Sequence, residues 1–523
     1  MHKSNLTFKK DPAVGRARRR WRLSAGVAIA GTSLIAMPVA APIPHVQVRD
    51  VRLTSGDGAD SPLGDGTALV MGGSGIPIPP ERYVEAADTL YLQPRDFTGT
   101  PQALDTPEGF YPTTGVNSLT ADASEAQGAQ ILDGAITGQI AGGNVDAANP
   151  VVVFGYSQSS AMSTFTMQQL QAQGVPSNDV HFVLVGDTAA PNGGLLERFA
   201  DPSVPSFGIT FGNPTPADLY PTDIYTLEYD GFADFPQYPI DPLSDLNAFA
   251  GMIYEHLTYL NLDPGQIANA IPLVTTGATL TDYFMIPVGD LPLLDPLRLI
   301  PFVGNPLADL LQPDMTVLVN LGYGSITDGW SQGPANVPTP FDLFPTNINW
   351  SDVLTALVNG VPQGIHAAIA DLENPDNYQI PSLLDNPTLA PLVDAAYTSG
   401  LIDTLQPTSQ ELTQALLGGS FPVSDATLLS PPADLINDFT STLSADYAAL
   451  LPIADTINAL TTTLPAFDAS LFTDQLDAGN LLGAIGDPIA ADIALIPFAI
   501  FLGAGPITDA VEGTLLNIAH LIP

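Results

Sequence analysis

The sequence predicts an α/β fold: a parallel sheet flanked by helices, with a mostly helical region after it. Three observations carry this reading. Short apolar runs, Ala68-Leu69-Val70-Met71, Val151-Val152-Val153-Phe154 and Val180 to Val185, read as strands buried on both faces. Stretches of helical spacing over 83–92, 121–142 and 162–170 separate them. Strands that alternate with helices are the pattern of a sheet whose parallel strands are joined by helical crossovers.

Taken in order, the chain opens with positive charge. Eight of its 14 Lys and Arg lie between Lys3 and Arg22, and Leu23 to Ala40 follows without a charge. A basic start, an apolar stretch and small residues near Ala40 and Ala41 predict a secretory signal over residues 1–41. Pro38 and Pro42 depart from a standard cleavage site, so an uncleaved membrane anchor is the alternative. The apolar stretch, about 18 residues, reaches the lower limit for crossing a bilayer. Arg18-Arg19-Arg20 is too little for a twin-arginine signal. Either way the bulk of the chain is expected outside the cytoplasm, secreted or in the cell envelope. Residues 42–66 are polar and Gly/Asp-rich and read as a linker.

A single α/β domain is expected over 67–345. Its first strand ends in Gly72-Gly73-Ser74-Gly75, a loop able to aim amides into a pocket. It lacks the pattern of a phosphate loop. The strand at 151–154 runs into Gly155-Tyr156-Ser157-Gln158-Ser159 and then a helix. Strand, tight turn with a central Ser, helix is the layout of a nucleophile elbow. Small flanking residues let strand and helix pass closely, and Gly155 and Ser159 meet that demand, although Ser159 is one hydroxymethyl larger than the usual glycine. The plainer alternative is that Ser157 merely caps the helix.

His181 opens the next strand and reads as structural, because catalytic groups gather at the carboxyl ends of such strands. A further strand, Ile224 to Tyr229, leads into Asp230-Gly231-Phe232-Ala233-Asp234. An Asp just past a strand end suits a triad acid. Asp230 and Asp234 compete, and the Gly-x-x-Asp spacing favours Asp234. Both also suit a turn. His256 lies in a helical or loop segment after both. Ser, acid, His is the α/β-hydrolase order. The other histidines, His2, His45, His181, His366 and His520, lie in the signal, the linker, a strand start or the dissimilar tail, so elimination also points to His256 as general base. From 281 to 345 the chain is rich in Pro, Leu and Asp and reads as apolar loops that could wall a lipid cleft.

Residues 346–523 change character: Ala, Leu, Thr and Asp dominate and basic residues vanish. A loosely specified helical appendage is expected. Ile493 to Ile507 is uncharged but carries Pro497 and Pro506, which makes it too short and broken for a membrane span.

Composition excludes several function classes. After Arg22 only six arginines remain, against 54 of the 55 acidic residues, so a phosphate backbone or an anionic lipid surface would be repelled and nucleic acid is no partner. There is no Cys, hence no disulfide, thiolate metal site or Cys nucleophile. No paired-His motif or calcium-loop spacing appears, and neither metal nor cofactor is expected.

With these pieces assembled, the chain from about Thr67 to Pro345 resembles the PE-PPE domain family of mycobacteria and related actinobacteria, which is similar to cutinase-like serine esterases. The resemblance rests on Gly72-Gly73-Ser74-Gly75, Thr106 to Pro112, the Ser157 elbow, Tyr229 to Pro236, His256-Leu257-Thr258-Tyr259, Tyr283 to Pro287 and Leu321 to Gly324. It implies a cutinase-like α/β-hydrolase fold with Ser157 as nucleophile, an Asp of the 230–234 loop as acid and His256 as base. By similarity to cutinases, Ser74 and the Gln158 amide would form the oxyanion hole. The PE or PPE helical domain found at the N-terminus of many members is replaced here by the signal-like segment. The expected activity is hydrolysis of lipid or other acyl esters through an acyl-enzyme. The alternatives are acyl transfer to envelope glycolipids and a non-catalytic envelope protein, with oligomeric state left open.

Overall fold

A computed structural model describes residues 63–199, 202–379, 384–408, 411 and 450–521, with the side chains of the last helix described as far as Ala504. The signal or anchor expected over residues 1–41 lies outside the described residues, as does most of the linker. Leu63, expected in that linker, is already buried, and its N–H donates to the carbonyl of Arg95 at 3.0 Å.

Seven strands form one sheet: β1 (Thr67–Val70), β2 (Thr100–Ala103), β3 (Val151–Tyr156), β4 (Val180–Val185), β7 (Thr222–Leu227), β8 (Ile271–Pro272) and β9 (Thr281–Ile286). Their order is β2-β1-β3-β4-β7-β9-β8, parallel except where β8 meets β9. A small ribbon, β5 (Ser203–Val204) with β6 (Ile209–Thr210), stands apart. Every residue of β3, β4 and β7 is buried. Period-two alternation divides their side chains between two cores. Val152, Phe154, Val183 and Val185 face a cluster with Tyr83 and Tyr91. Val151, Val153, Phe182 and Leu184 face helices α2 (Ala121–Ala141) and α3 (Gln158–Gln173) through Leu132, Ile136, Met162 and Leu170. These two helices approach closely at Gly128, where a Cβ would stand 2.2 Å from the Met162 Cε.

Register aligns the strand ends. Tyr156 is level with Val185, and Val185 with Tyr225, so β3, β4 and β7 deliver their carboxyl ends to one edge. Helix α1 (Glu81–Ala87) follows the loop after β1, and a short helix, α4 (Leu195–Arg198), follows β4. After β7 come α5 (Pro242–Tyr254) and α6 (Pro264–Ala268).

Two expectations need correction. The 281–345 stretch is not all loop: it holds β9, the short α7 (Asp295–Arg298) and an 18-residue helix α8 (Gly304–Leu321) that runs through Pro313. Proline removes one intrahelical bond and usually marks a break, but here the apolar spacing of the helix prevails. The C-terminal region is likewise more regular than its prolines suggest. Helix α9 (Trp350–Glu373) contains Pro362, and after α10 (Ala390–Thr398) and α11 (Leu464–Asp477) the chain ends in α12, unbroken over Leu481–Leu521. By length and composition two helices among the described residues could cross a membrane, Trp350–Glu373 and Leu481–Ala504. Part of α12 is instead buried in the protein: Ala494, Leu495, Phe498 and Leu502 join a core with Phe199, Phe207 and Phe235.

Candidate active site

Ser157 sits between β3 and α3 with φ 58° and ψ −118°, a conformation that L-residues rarely adopt. Such strain persists only where the surroundings impose it. The close packing is visible at Gly155, where a Cβ would lie 3.0 Å from both Leu184 Cδ2 and the Ser159 carbonyl. Ser159 makes use of its extra hydroxyl: Oγ accepts from the Tyr156 N–H at 2.8 Å and donates to the Tyr156 carbonyl at 3.1 Å, clamping the turn. The Ser157 side chain makes no capping bond to α3, which disposes of the helix-cap alternative. Its Oγ lies 2.8 Å from His256 Nε2 instead.

His256 leaves α5 in a tight turn, its N–H bonded to the Gly251 carbonyl at 2.9 Å. The ring is buried, with Phe232 at 4.7 Å between centroids. Tyr156 donates its hydroxyl to the His256 carbonyl. Opposite, Gly186 at φ 59° lets the end of β4 pass the ring, since a Cβ there would be 3.1 Å from His256 Cε1. His256 Nδ1 is 2.9 and 2.8 Å from the two carboxylate oxygens of Asp230. This arrangement suits the tautomer that carries its proton on Nδ1 and accepts from Ser157 on Nε2.

The acid on the imidazole is therefore Asp230, and the preference for Asp234 is corrected. The preference rested on the Gly-x-x-Asp spacing alone, which does not say where the chain turns. The left-handed residue is Tyr229, at φ 65°, and it swings Asp230 directly off the end of β7 toward His256. Gly231 serves close packing, where a Cβ would sit 2.1 Å from the Ala248 carbonyl. Asp234 points back and accepts from the Tyr229 N–H at 3.1 Å. The Asp230 carboxylate also accepts from the Tyr259 hydroxyl at 2.8 Å and the Phe232 N–H at 3.0 Å. That hydroxyl in turn accepts from the Leu227 N–H at 2.8 Å. Sequence reasoning quoted Tyr259 but gave it no role. Its place three residues after His256 was the available signal.

Ser74 and Gln158 both line the cavity at Ser157. The glycine-rich loop comes close enough that a Cβ on Gly73 would be 3.6 Å from Ser157 Cβ. As first residue of α3, Gln158 has an N–H with no intrahelical acceptor. The Ser74 hydroxyl donates to Gln158 Oε1 at 3.2 Å, and Gln158 Nε2 donates to the Gly109 carbonyl at 2.7 Å. His181, set apart as structural, lies away from this site with Nε2 3.2 Å from Asp223, which also pairs with Arg95. No group of side chains able to hold a metal occurs among the described residues.

The cavity has a volume of about 560 Å³, within the ordinary range for small-molecule sites. Much of its wall is apolar, including Ile76, Phe110, Leu195, Phe232 and Met252. The C-terminal region supplies the rest. Leu392, Ala396 and Leu401 come from α10 and the turn after it, and Phe498, Phe501 and Leu502 from α12. These helices are fastened to the body. Arg82 stacks 4.4 Å over Tyr397, Asn261 donates to Thr398 at 2.8 Å, and Phe498 meets Phe232 edge to face. The appendage expected from the sequence is thus part of the site.

Buried carboxyls surround the site. Burial raises Glu108 to about 8, against the bond from Thr106, and Asp187 to about 6, against bonds from Thr215 and Ala189. Each binds its proton more tightly folded than unfolded, so its contribution is complete below pH 4 and is lost as pH rises to the folded value. The melting temperature is therefore expected to fall between pH 5 and about pH 8. Glu108→Gln should flatten that slope, as scanning calorimetry across the range would show.

Comparison with known proteins adds the lineage. Residues 98–324 match the PE-PPE domain model. The chain is 41% identical over 503 residues to the PPE family protein PPE28 of Mycobacterium tuberculosis, covering 93% of this chain and 72% of that one. The chain belongs to the PE-PPE domain family. Several other relatives from the same organism carry names for activities. Esterase PE16 is 44% identical, over 57% of this PE-PPE chain and 55% of its own length. SL1278 acyltransferase Chp1 is 32% identical, over 47% and 58% respectively. The chain thus spans little more than half the length of these two. Within this PE-PPE chain, Ser74 precedes the matched span and the cavity-lining parts of α10 and α12 follow it.

Proposed function

We propose that the protein is an exported serine esterase that cleaves esters of apolar acids through Ser157, His256 and Asp230. The observation that carries this is the Ser157 hydroxyl, raised on a strained turn and 2.8 Å from an imidazole whose other nitrogen rests on a buried carboxylate. His256 Nε2 takes the Ser157 proton as Oγ attacks the ester carbonyl. Asp230 keeps the imidazole oriented and stabilises the imidazolium that forms. The Gln158 backbone N–H, which has no intrahelical acceptor, is assigned to the developing oxyanion, with the Ser74 hydroxyl as second donor once it turns from Gln158 Oε1, each such donor being worth about 2.7–4 kcal/mol where it has been measured. The protonated imidazole then releases the alcohol, and water, activated the same way, frees the acid.

Acyl transfer is the second reading. It is supported by the name of the Chp1 relative and by a cavity that the C-terminal helices wall with apolar side chains, an arrangement that keeps water from the acyl-enzyme. Purified protein given p-nitrophenyl esters, with and without an added alcohol, separates the two. Free acid as main product supports hydrolysis, and ester of the added alcohol supports transfer. Neither product from the wild type would refute both. Export is proposed from the basic and apolar start, and cell fractionation with mass determination of the mature N-terminus tests it.

The acyl chain is assigned to the apolar wall. Phe498→Ala opens space beside Phe232, and the preferred chain is expected to lengthen, with kcat/KM for the longest ester rising about tenfold relative to the shortest. A p-nitrophenyl ester series of increasing length measures it.

A further inference from the structure

The first turn of α2 forms the cavity's polar edge. Its other groups are satisfied: Thr120 caps the helix, Asp122 accepts from the Thr210 N–H and hydroxyl at 2.9 Å each, and Ser124 Oγ accepts from the Gly109 N–H at 2.9 Å. Glu125 differs. It is only 8% exposed, it lines the cavity, and its carboxyl has no hydrogen-bond partner among the described residues. Its carboxyl oxygens open onto the cavity, where a hydrogen-bonding ligand can meet them. Asp122, Thr114, Thr188 and Thr210 line the same cavity. The turn stands beside the Gln158 flank of Ser157, linked to it through Gln158 Nε2, the Gly109 peptide and Ser124.

We propose that this edge is the subsite for the alcohol part of the substrate, that it takes a neutral polyol, and that Glu125 is its central hydrogen-bonding group. The assignment rests on the esterase reading above and extends it to the leaving or accepting alcohol. The chemistry of the lining selects the class. No Lys or Arg lines the cavity, so a phosphate, sulfate or carboxylate head group finds no cationic side chain to pair with. Burial first, then the Asp122, Glu108 and Asp187 carboxyls, hold Glu125 well above the ordinary carboxylate range. A neutral carboxyl donates one hydrogen bond and accepts others, as a sugar hydroxyl does. It gives a quaternary ammonium no charge to pair with. The Thr188 hydroxyl adds a group of the same dual kind.

The test uses the full-length protein and octanoyl esters of glucose, ethanol and choline. The wild type is expected to favour the glucose ester over the ethyl ester by at least tenfold in kcat/KM. Glu125→Met, which keeps length but cannot hydrogen-bond as a carboxyl does, should lower that ratio at least tenfold. Glu125→Gln, which still donates and accepts, should hold it within about threefold, and the melting temperature of each variant checks its fold. Equal kcat/KM for the glucose and ethyl esters in the wild type would overturn the proposal whatever the variants do. So would an unchanged ratio in folded Glu125→Met, or a choline ester preferred in a Glu125-dependent way. Failure of the wild type to cleave any of the three would instead refute the esterase reading, whereas Ser157-dependent cleavage without discrimination refutes the polyol subsite alone.

Discussion

Ser157→Ala is expected to lower kcat by about a million-fold, the scale seen when the nucleophile of a serine hydrolase is removed. The reasoning is local. The hydroxyl at 2.8 Å from His256 Nε2 is the only group in the turn aligned to receive the carbonyl carbon and pass its proton to a base. His256→Ala should cost about as much, and the double variant little more, because the two groups act as one unit. Residual turnover above the uncatalysed rate would come from the Gln158 amide and from binding. KM should move far less than kcat, since the acyl wall is untouched. Steady-state hydrolysis of a p-nitrophenyl ester measures all three variants. A Ser157→Ala protein with more than about a hundredth of wild-type kcat would contradict the assignment.

Asp230→Asn and Asp234→Asn should behave in opposite ways although the two residues are four apart in one loop. Asp230 holds His256 Nδ1 through both oxygens, so an amide in its place presents an N–H to the wrong side and favours the inactive tautomer. In a serine protease this change costs about 10⁴ in kcat, and a similar loss is expected here. Asp234 accepts from the Tyr229 N–H, while the imidazole nitrogens meet Asp230 and Ser157 instead. Its asparagine variant can still accept that bond, so kcat should stay within about tenfold. Asp234→Ala should instead lower stability by about 1–3 kcal/mol through the unsatisfied amide. Parallel kinetics and thermal melts on the three variants separate catalytic from structural carboxylate.

What could be read from the sequence follows the range of the physics. The elbow was legible because its constraint is steric and short-range: an apolar run, a glycine that meets Leu184 and the Ser159 carbonyl, and a helix starting at once. His256 was legible because chain order and scarcity left few alternatives. The choice between Asp230 and Asp234 was not. It depends on which residue takes the left-handed conformation, and Tyr229, a residue type that gives no such signal, does so. Helix α8 was hidden by Pro313, since a proline signals a break whether or not packing overrides it. The same holds for Pro362 in α9. In the tail, composition announced helices but not the partner of each face. That Phe498 would meet Phe232, or Tyr397 lie under Arg82, depends on contacts across more than two hundred residues. Glu125 escaped notice because one acid in an alanine-rich helix looks like any solvated charge. Only the cavity distinguishes it.

The account stands on Ser157 being a hydroxyl activated by His256, and covalent trapping tests that most directly. The folded protein is treated with a fluorophosphonate, digested, and its peptides weighed. A single phosphonyl adduct on Ser157, absent from His256→Ala, is the predicted result. A folded protein that takes up no label, or that carries it on another serine, would contradict the account.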